Sequence, residues 1–134
     1  MKKLAGPEKQ IKFWKSEQMT AESFVAMADT FDVLLFQSNT KAAKLIRGYS
    51  GSEWDHVGMC VKFDSEPNEI FIIEATGNLG VHFKRFSSTI KHLGGFYSKL
   101  ALRRFDFNRK DEHLIKLDGF IKEALGKKYA FKVS

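Results

Sequence analysis

The chain has 134 residues, of which 43% are hydrophobic, and it carries a net charge of +6. This length predicts a single domain, and thirteen phenylalanines exclude an unfolded polar tail. No apolar run of about eighteen residues exists and no apolar stretch follows the basic start, so we expect neither a membrane span nor a secretory signal. The single cysteine excludes an internal disulfide and favours a cytoplasmic location.

The positive charge concentrates toward the two ends of the chain. Such a surplus can attract an acidic membrane surface, an acidic protein or nucleic acid, although a solvated lysine surface is the simpler interpretation. No RRM, KH or zinc-finger motif is present, and we therefore do not expect a nucleic-acid partner. The lysines concerned are Lys2, Lys3, Lys9, Lys12, Lys15, Lys122, Lys127, Lys128 and Lys132.

The pattern along the chain predicts a basic N-terminal segment, residues 1–18, followed by one domain, residues 19–134. Thr20 is placed to cap a first helix, and the run 38–40 to cap a second helix that ends at Gly48. The last helix has six apolar residues at core spacing and ends at Gly126. Helices are predicted over 20–29, 41–47 and 111–125, a short helix or turn over 87–93, and strands over 31–36, 55–63, 69–75, 81–85 and 100–107. Consecutive hairpins make the sheet antiparallel, which defines an α+β class with helices packed on the sheet.

His56 and Glu74 form the candidate catalytic pair. If the loop between their strands centres near Glu66, Gly58 lies opposite Glu74, and His56 and Glu74 share one face as diagonal neighbours. A carboxylate that accepts from one imidazole nitrogen fixes the tautomer and leaves the other nitrogen basic. Alternatively, His56 is a strand histidine bonded to backbone and Glu74 a salt-bridged residue. However, a carboxylate between Phe71 and Ala75 in so apolar a run needs a partner.

The residues offer no nucleophile for this pair. Cys60 shares the strand face of His56, but four strand residues separate the two by about 13 Å, so we expect Cys60 in the core. Ser50, Ser52 and Thr76 lie in no nucleophile motif. We predict no metal and no cofactor, because the chain lacks a glycine-rich phosphate loop and its histidines lack ligand spacing: His56, His82, His92 and His113.

Several motifs, in their order and spacing, resemble the permuted NlpC-type papain-like proteins. That group includes the YiiX-like amidases and, more distantly, the lecithin retinol acyltransferase-like enzymes. The similarity spans about residues 30–130. It rests on Asp32-Val33-Leu34-Leu35-Phe36, Leu45-Ile46-Arg47, Trp54-Asp55-His56-Val57-Gly58-Met59, Ile73-Glu74-Ala75, the turn 77–81, Leu102-Arg103-Arg104 and Leu125-Gly126-Lys127-Lys128-Tyr129.

The resemblance implies a circularly permuted papain-like fold and a cysteine hydrolase or acyltransferase acting on amides or esters. His56 would be the general base, Glu74 its orienting residue, and the nucleophilic cysteine would follow the segment 126–129. The sequence lacks that cysteine, so we expect a C-terminally incomplete domain that is inactive by itself. A degenerate module, or a cysteine from another chain, are the alternatives. We expect a protein partner on the uncovered face, or, for a non-catalytic module, a protein or an acidic membrane surface.

Overall fold

The computed structural model describes residues 18–129. The predicted basic segment, apart from Gln18, and the predicted domain after Tyr129 lie outside the described residues. The helices are α1 (Ala21–Met27), α2 (Lys41–Ser50), α3 (Phe86–Ile90) and α4 (Asp111–Ala124), and the strands are β1 (Val33–Ser38), β2 (His56–Val61), β3 (Phe71–Thr76), β4 (Gly80–Arg85) and β5 (Tyr97–Arg103).

The five strands form one antiparallel sheet in the order β4-β3-β2-β1-β5. The predicted α+β class and antiparallel sheet are therefore confirmed, whereas the permuted papain-like class stays a prediction. The predicted register of the β2–β3 hairpin is also confirmed, because Met59 pairs with Ile73 and Cys60 with Ile72. Alternation along this ladder places His56, Gly58 and Cys60 on one face of the sheet.

The sheet has a hydrophobic core on each face. On the face of Cys60, α1 and α3 contribute Phe24 and Phe86, whose rings stack with centroids 3.9 Å apart. On the other face, Leu117 and Ile121 of α4 pack with Val61 and Ile73. One end of the first face is thus covered by helices, and the candidate pair lies toward the opposite end of the strands.

Two predictions about the helices are wrong. α2 continues through Gly48 and ends only at Gly51, which adopts a left-handed conformation with φ of 67°. A glycine within a helix is tolerated, but a left-handed cap strongly favours one, so the second glycine defines the end. In α4, only Leu117, Ile121 and Ala124 of the six predicted core residues are buried. Leu114, Phe120 and Leu125 are exposed.

Asp32 fixes the start of β1 to the segment that follows β5. Its side chain is fully buried and accepts hydrogen bonds from the backbone N–H groups of Asp29 and Phe105 and from Nη2 of Arg109. Arg109 also donates to the carbonyl of Thr30. No helix within residues 18–129 has the length and apolar character that crossing a membrane requires.

Candidate functional site

The structure brings the two predicted site residues together. Nε2 of His56 lies 2.6 Å from Oε2 of Glu74, at the start of β2 and near the end of β3. The carboxylate is almost fully buried, with 4% of its side chain exposed, whereas the imidazole is 26% exposed. The pair therefore has a protected carboxylate and a histidine that solvent reaches.

Two residues of β4 complete the surroundings of this carboxylate. His82 pairs directly with Glu74 across the β3–β4 hairpin, and its Nε2 lies 3.1 Å from Oε1. Lys84 lies two residues further on the same strand face and places its ammonium 2.9 Å from Oε2. Three side-chain nitrogens thus contact the Glu74 carboxylate, and its Oε2 is shared by His56 and Lys84.

The lysine ammonium lies in an aromatic pocket as well as against the carboxylate. It donates to the hydroxyl of Tyr97 at 2.9 Å and lies 4.3 Å from the ring centre of Phe36. The Phe36 ring also contacts the imidazole of His56, with centroids 5.2 Å apart. Because only 18% of the Lys84 side chain is exposed, solvent screens its charge weakly. The ammonium is therefore held in one place beside the histidine–carboxylate pair.

These neighbours keep the Glu74 carboxyl ionised. Burial by itself would raise its pKa, but the hydrogen bonds from His56 and Lys84, together with the charge of Lys84, lower the pKa to about 2. A carboxylate with such a low pKa accepts hydrogen bonds at every physiological pH. It can therefore hold one nitrogen of each neighbouring imidazole in a fixed direction.

The second nitrogen differs between the two histidines. Nδ1 of His82 lies 2.9 Å from the carbonyl oxygen of Gly80 and is engaged there. Nδ1 of His56 has no hydrogen-bond partner within residues 18–129. With its Nε2–H donated to Glu74, a neutral His56 ring presents a lone pair on Nδ1. Of the four imidazole nitrogens of His56 and His82, this is the one that no residue of the described part of the chain contacts by a hydrogen bond.

The predicted core position of Cys60 is confirmed. The residue is fully buried, and burial, followed by the charge of Asp32, raises the pKa of its thiol to about 12. A thiol in this state is a poor nucleophile, since the reactive form is the thiolate. Cys60 therefore packs the core and does not serve His56.

The three hydroxyl groups near the site accept hydrogen bonds from backbone N–H groups a few residues along the chain. Oγ of Ser50 accepts from the N–H of Ser52, and Oγ of Ser52 accepts from the N–H of Trp54. Oγ1 of Thr76 accepts from the N–H of Leu79 in the β3–β4 turn. These contacts account for the three hydroxyls and agree with the absence of a nucleophile motif in the sequence.

Comparison with known proteins relates the fold to a YiiX-like protein. The chain is similar to the crystal structure of the metalloprotein yiiX from Escherichia coli O157:H7, assigned to DUF1105, with a TM-score of 0.61 and 26% sequence identity. The match covers 76% of this chain and 53% of that one, so the chain spans about half the length of yiiX. No protein-family model matches the chain, and no curated protein does either.

The structural neighbour yiiX is described as a metalloprotein, which raises the question whether this cluster can hold a metal ion. Within residues 18–129, no three His, Cys, Asp or Glu side chains form a group that could hold a metal ion. The Nε2 atoms of His56 and His82 point at the oxygens of Glu74, and Lys84 adds a positive charge there. A cation bound at this carboxylate would have to displace that ammonium, so these residues do not fit a metal centre.

Sequence reasoning missed His82 and Lys84 as members of the site. It considered His82 only as a metal ligand, yet a signal was available. The tight turn after Thr76 pairs Thr76 with Gly80, and this register places Glu74 opposite His82. Lys84 then follows on the same face by strand alternation. Its contact with Tyr97 of β5 had no local signal, because it depends on how the whole sheet curves.

Proposed function

We propose that the chain provides the base and orienting residue of a papain-like thiol hydrolase or acyltransferase that acts on amides or esters. The observation that carries this proposal is the open Nδ1 of His56, whose other nitrogen is bound by the buried carboxylate of Glu74. In this role His56 is the general base, and Glu74 orients it. The similarity to yiiX supports the fold relation, and the activity is our inference from the geometry.

The reaction requires a cysteine from outside these 134 residues, because Cys60 is buried and is the only cysteine in the sequence. Nδ1 of His56 would take the proton of that thiol, and the thiolate would attack the substrate carbonyl. His56 would then return the proton to the leaving amine or alcohol as the acyl thioester forms. Water, or an acceptor alcohol or amine, would attack the thioester and release the thiol.

The segment after α4 lies beside the site, which supports a reacting group arriving from that direction. The N–H of Val81 donates to the carbonyl of Lys127, and the N–H of Gly126 donates to the carbonyl of Val81, both at 2.9 Å. Gly80 permits this approach, since a Cβ there would overlap the Lys127 carbonyl. His82 follows Val81 directly. In the family that the sequence resembles, the nucleophilic cysteine would follow this same segment.

A thiol-directed activity probe tests the proposal. We expect no labelling of the 134-residue chain, and labelling of the longest product that its source gene encodes or of a reconstituted complex with the chain that supplies the cysteine. His56→Ala should abolish that labelling, and the matched control His92→Ala, in an exposed turn outside the cluster, should preserve it. Undiminished labelling of the His56 variant would contradict the assignment of His56 as the general base. The proposal would also be contradicted if neither the full gene product nor any chain that copurifies with it contained a reactive cysteine.

A second candidate function is a non-catalytic module that binds acidic membranes, and the outward face of α2 favours it. Leu45, Ile46 and Tyr49 are 74%, 53% and 97% exposed. Lys41 and Lys44, also exposed, flank this apolar face. An exposed apolar face with lysines beside it is typical of helices that lie in a membrane interface.

Sedimentation with vesicles separates the two functions. The membrane module predicts binding to vesicles of mixed phosphatidylcholine and phosphatidylserine, weakened by salt and by Tyr49→Ser. Leu79→Ser changes an exposed apolar side chain in the β3–β4 turn, away from the α2 face, and as the control it should bind normally. Absence of binding at low salt would exclude this second function and leave the enzymatic proposal untouched.

A further inference from the structure

We propose that Lys84 is a positioning residue that keeps Nδ1 of His56 unprotonated at neutral pH, so that this nitrogen remains able to accept a proton. The importance of this role for catalysis rests on the proposed function. The effect of Lys84 on the histidine is a property of the chain itself.

The shared oxygen of Glu74 carries this inference. A buried carboxylate that contacts an imidazole strongly favours the imidazolium, because an opposite charge at this range stabilises the charged form of a titrating group. A protonated ring would carry hydrogen on Nδ1 and could not act as a base. In this structure the ammonium of Lys84 lies 2.9 Å from the same Oε2 that His56 contacts at 2.6 Å. The positive charge of the Lys84 ammonium therefore offsets the negative charge of the Glu74 carboxylate at the oxygen that the imidazole contacts.

The lysine is held in this position by contacts that do not depend on His56. The Lys84 ammonium donates a hydrogen bond to the hydroxyl of Tyr97. It lies 4.3 Å from the ring centre of Phe36 and 5.1 Å from the ring centre of Tyr97. Aromatic faces stabilise a cation, so the pocket favours the charged lysine. A lysine on a solvated surface would be screened and mobile, and would offset the carboxylate far less.

Within the described residues 18–129, few other charged or titratable groups face His56. From β3 the imidazole meets Glu74, and β4 contributes Lys84 and His82, the latter bound to the second oxygen of Glu74. β1 contributes the uncharged ring of Phe36. Asp55, which directly precedes His56 in the sequence, is paired with Arg47 and accepts a hydrogen bond from the N–H of Ser38, so its charge is already compensated. Lys84 is therefore the cation that acts on the Glu74–His56 contact directly.

An NMR titration of the histidine ring in the 134-residue chain tests the inference. The carbon and proton shifts of the His56 Cε1–H group would be followed against pH, with assignment from the His56→Ala spectrum. Lys84→Gln retains a donor for Glu74 but removes the charge. We expect its His56 midpoint to move upward by about one pH unit relative to the wild type. Lys84→Arg should restore most of the wild-type behaviour, and Lys84→Met should reproduce the upward shift.

Lys99→Gln is the matched control. It removes a lysine that pairs with Glu53 in an exposed position on β5, and it should leave the His56 midpoint unchanged. An unchanged or lowered midpoint in a folded Lys84→Gln or Lys84→Met variant would overturn the inference, as would a loss of folding in both, since Lys84 would then be structural support. Because the readout needs no activity, failure of the enzymatic proposal appears only in the probe labelling, and failure of this inference only in the titration.

Discussion

Gly58 and Ile72 are diagonal neighbours on the sheet face that carries the site, and the γ2 methyl of Ile72 fills the space where a Cβ of residue 58 would stand. Gly58 lies between His56 and Cys60 on β2. The absence of a side chain lets Ile72 pack fully into the core directly beside Glu74. The close packing of this glycine therefore supports the strand positions from which His56 and Glu74 meet.

We predict that Gly58→Ala destabilises the fold by about 1–3 kcal/mol, the usual cost of forcing an extra methyl into a packed core. The new Cβ would overlap Ile72 and approach the carbonyl oxygen of Ile73 to 3.3 Å, so a strand must move. Denaturant unfolding measures the change. Gly119→Ala is the control: it lies in α4 with no atom within 4 Å of the new Cβ, and it should stabilise by roughly 0.5–1 kcal/mol. Equal effects of the two substitutions would contradict the packing role of Gly58.

We predict that the stabilising effect of the Glu74 carboxylate disappears in acid. The folded-state pKa of about 2 lies below the ordinary glutamate pKa of 4.5, so the unfolded chain binds its proton first as the pH falls. The stability that Glu74 contributes is complete above this ordinary pKa and is lost progressively down to about pH 2. By about pH 3 the loss is about 2 kcal/mol.

Unfolding of the wild type and of Glu74→Gln at a series of pH values measures this loss. The glutamine variant is expected to be less stable near neutral pH, and the difference should narrow by about 2 kcal/mol on reaching about pH 3. Glu66→Gln is the control, because this carboxylate pairs with Arg85 at an exposed position and its replacement should change stability little. A difference between wild type and Glu74→Gln that stays constant with pH would show that the carboxylate is not held ionised by its neighbours.

The contact between His56 and Glu74 could be predicted from the sequence because it depends on local features. Strand alternation and the loop around Glu66 fix the register of one hairpin, and that register decides which side chains share a face. The helix caps Thr20 and Thr40 were predictable for the same reason, since each accepts from the backbone N–H three residues later. Such features need only a few neighbouring residues.

The aromatic pocket that holds the Lys84 ammonium beside the pair could not be predicted in this way. Lys84 contacts residues of β1, β3 and β5 together, and of these strands β1 and β5 are brought near β4 only by the complete sheet. Apolar spacing in α4 failed for a related reason. Leu114 and Phe120 have the periodicity of core residues, but the helix meets the sheet along a narrower stripe. Which apolar residues of α4 are buried depends on the angle at which the helix packs on the sheet.

We predict that Asp32→Ala destabilises the chain by about 3–5 kcal/mol, because the substitution leaves the Arg109 guanidinium without its buried partner. It also leaves the N–H of Phe105 without an acceptor. Thermal or denaturant unfolding measures the effect. Asp118→Ala is the matched control, since Asp118 forms an exposed pair with Lys122, and it should change stability by less than about 0.5 kcal/mol. A loss as small as that of the control would show that Asp32 does not anchor this part of the fold.

We predict that Cys60 reacts with a thiol reagent such as 5,5′-dithiobis(2-nitrobenzoic acid) only when the chain unfolds. The side chain is fully buried and its thiol pKa is raised to about 12, so the folded protein offers neither access nor thiolate at mildly alkaline pH. We expect the reaction to be slower than in the denatured chain by roughly a hundredfold or more. His56→Ala should leave the slow rate unchanged, because the two residues do not cooperate, whereas the destabilising Gly58→Ala should accelerate it. Fast reaction of the folded wild type that depends on His56 would restore Cys60 as a nucleophile and remove the need for a cysteine from outside the chain.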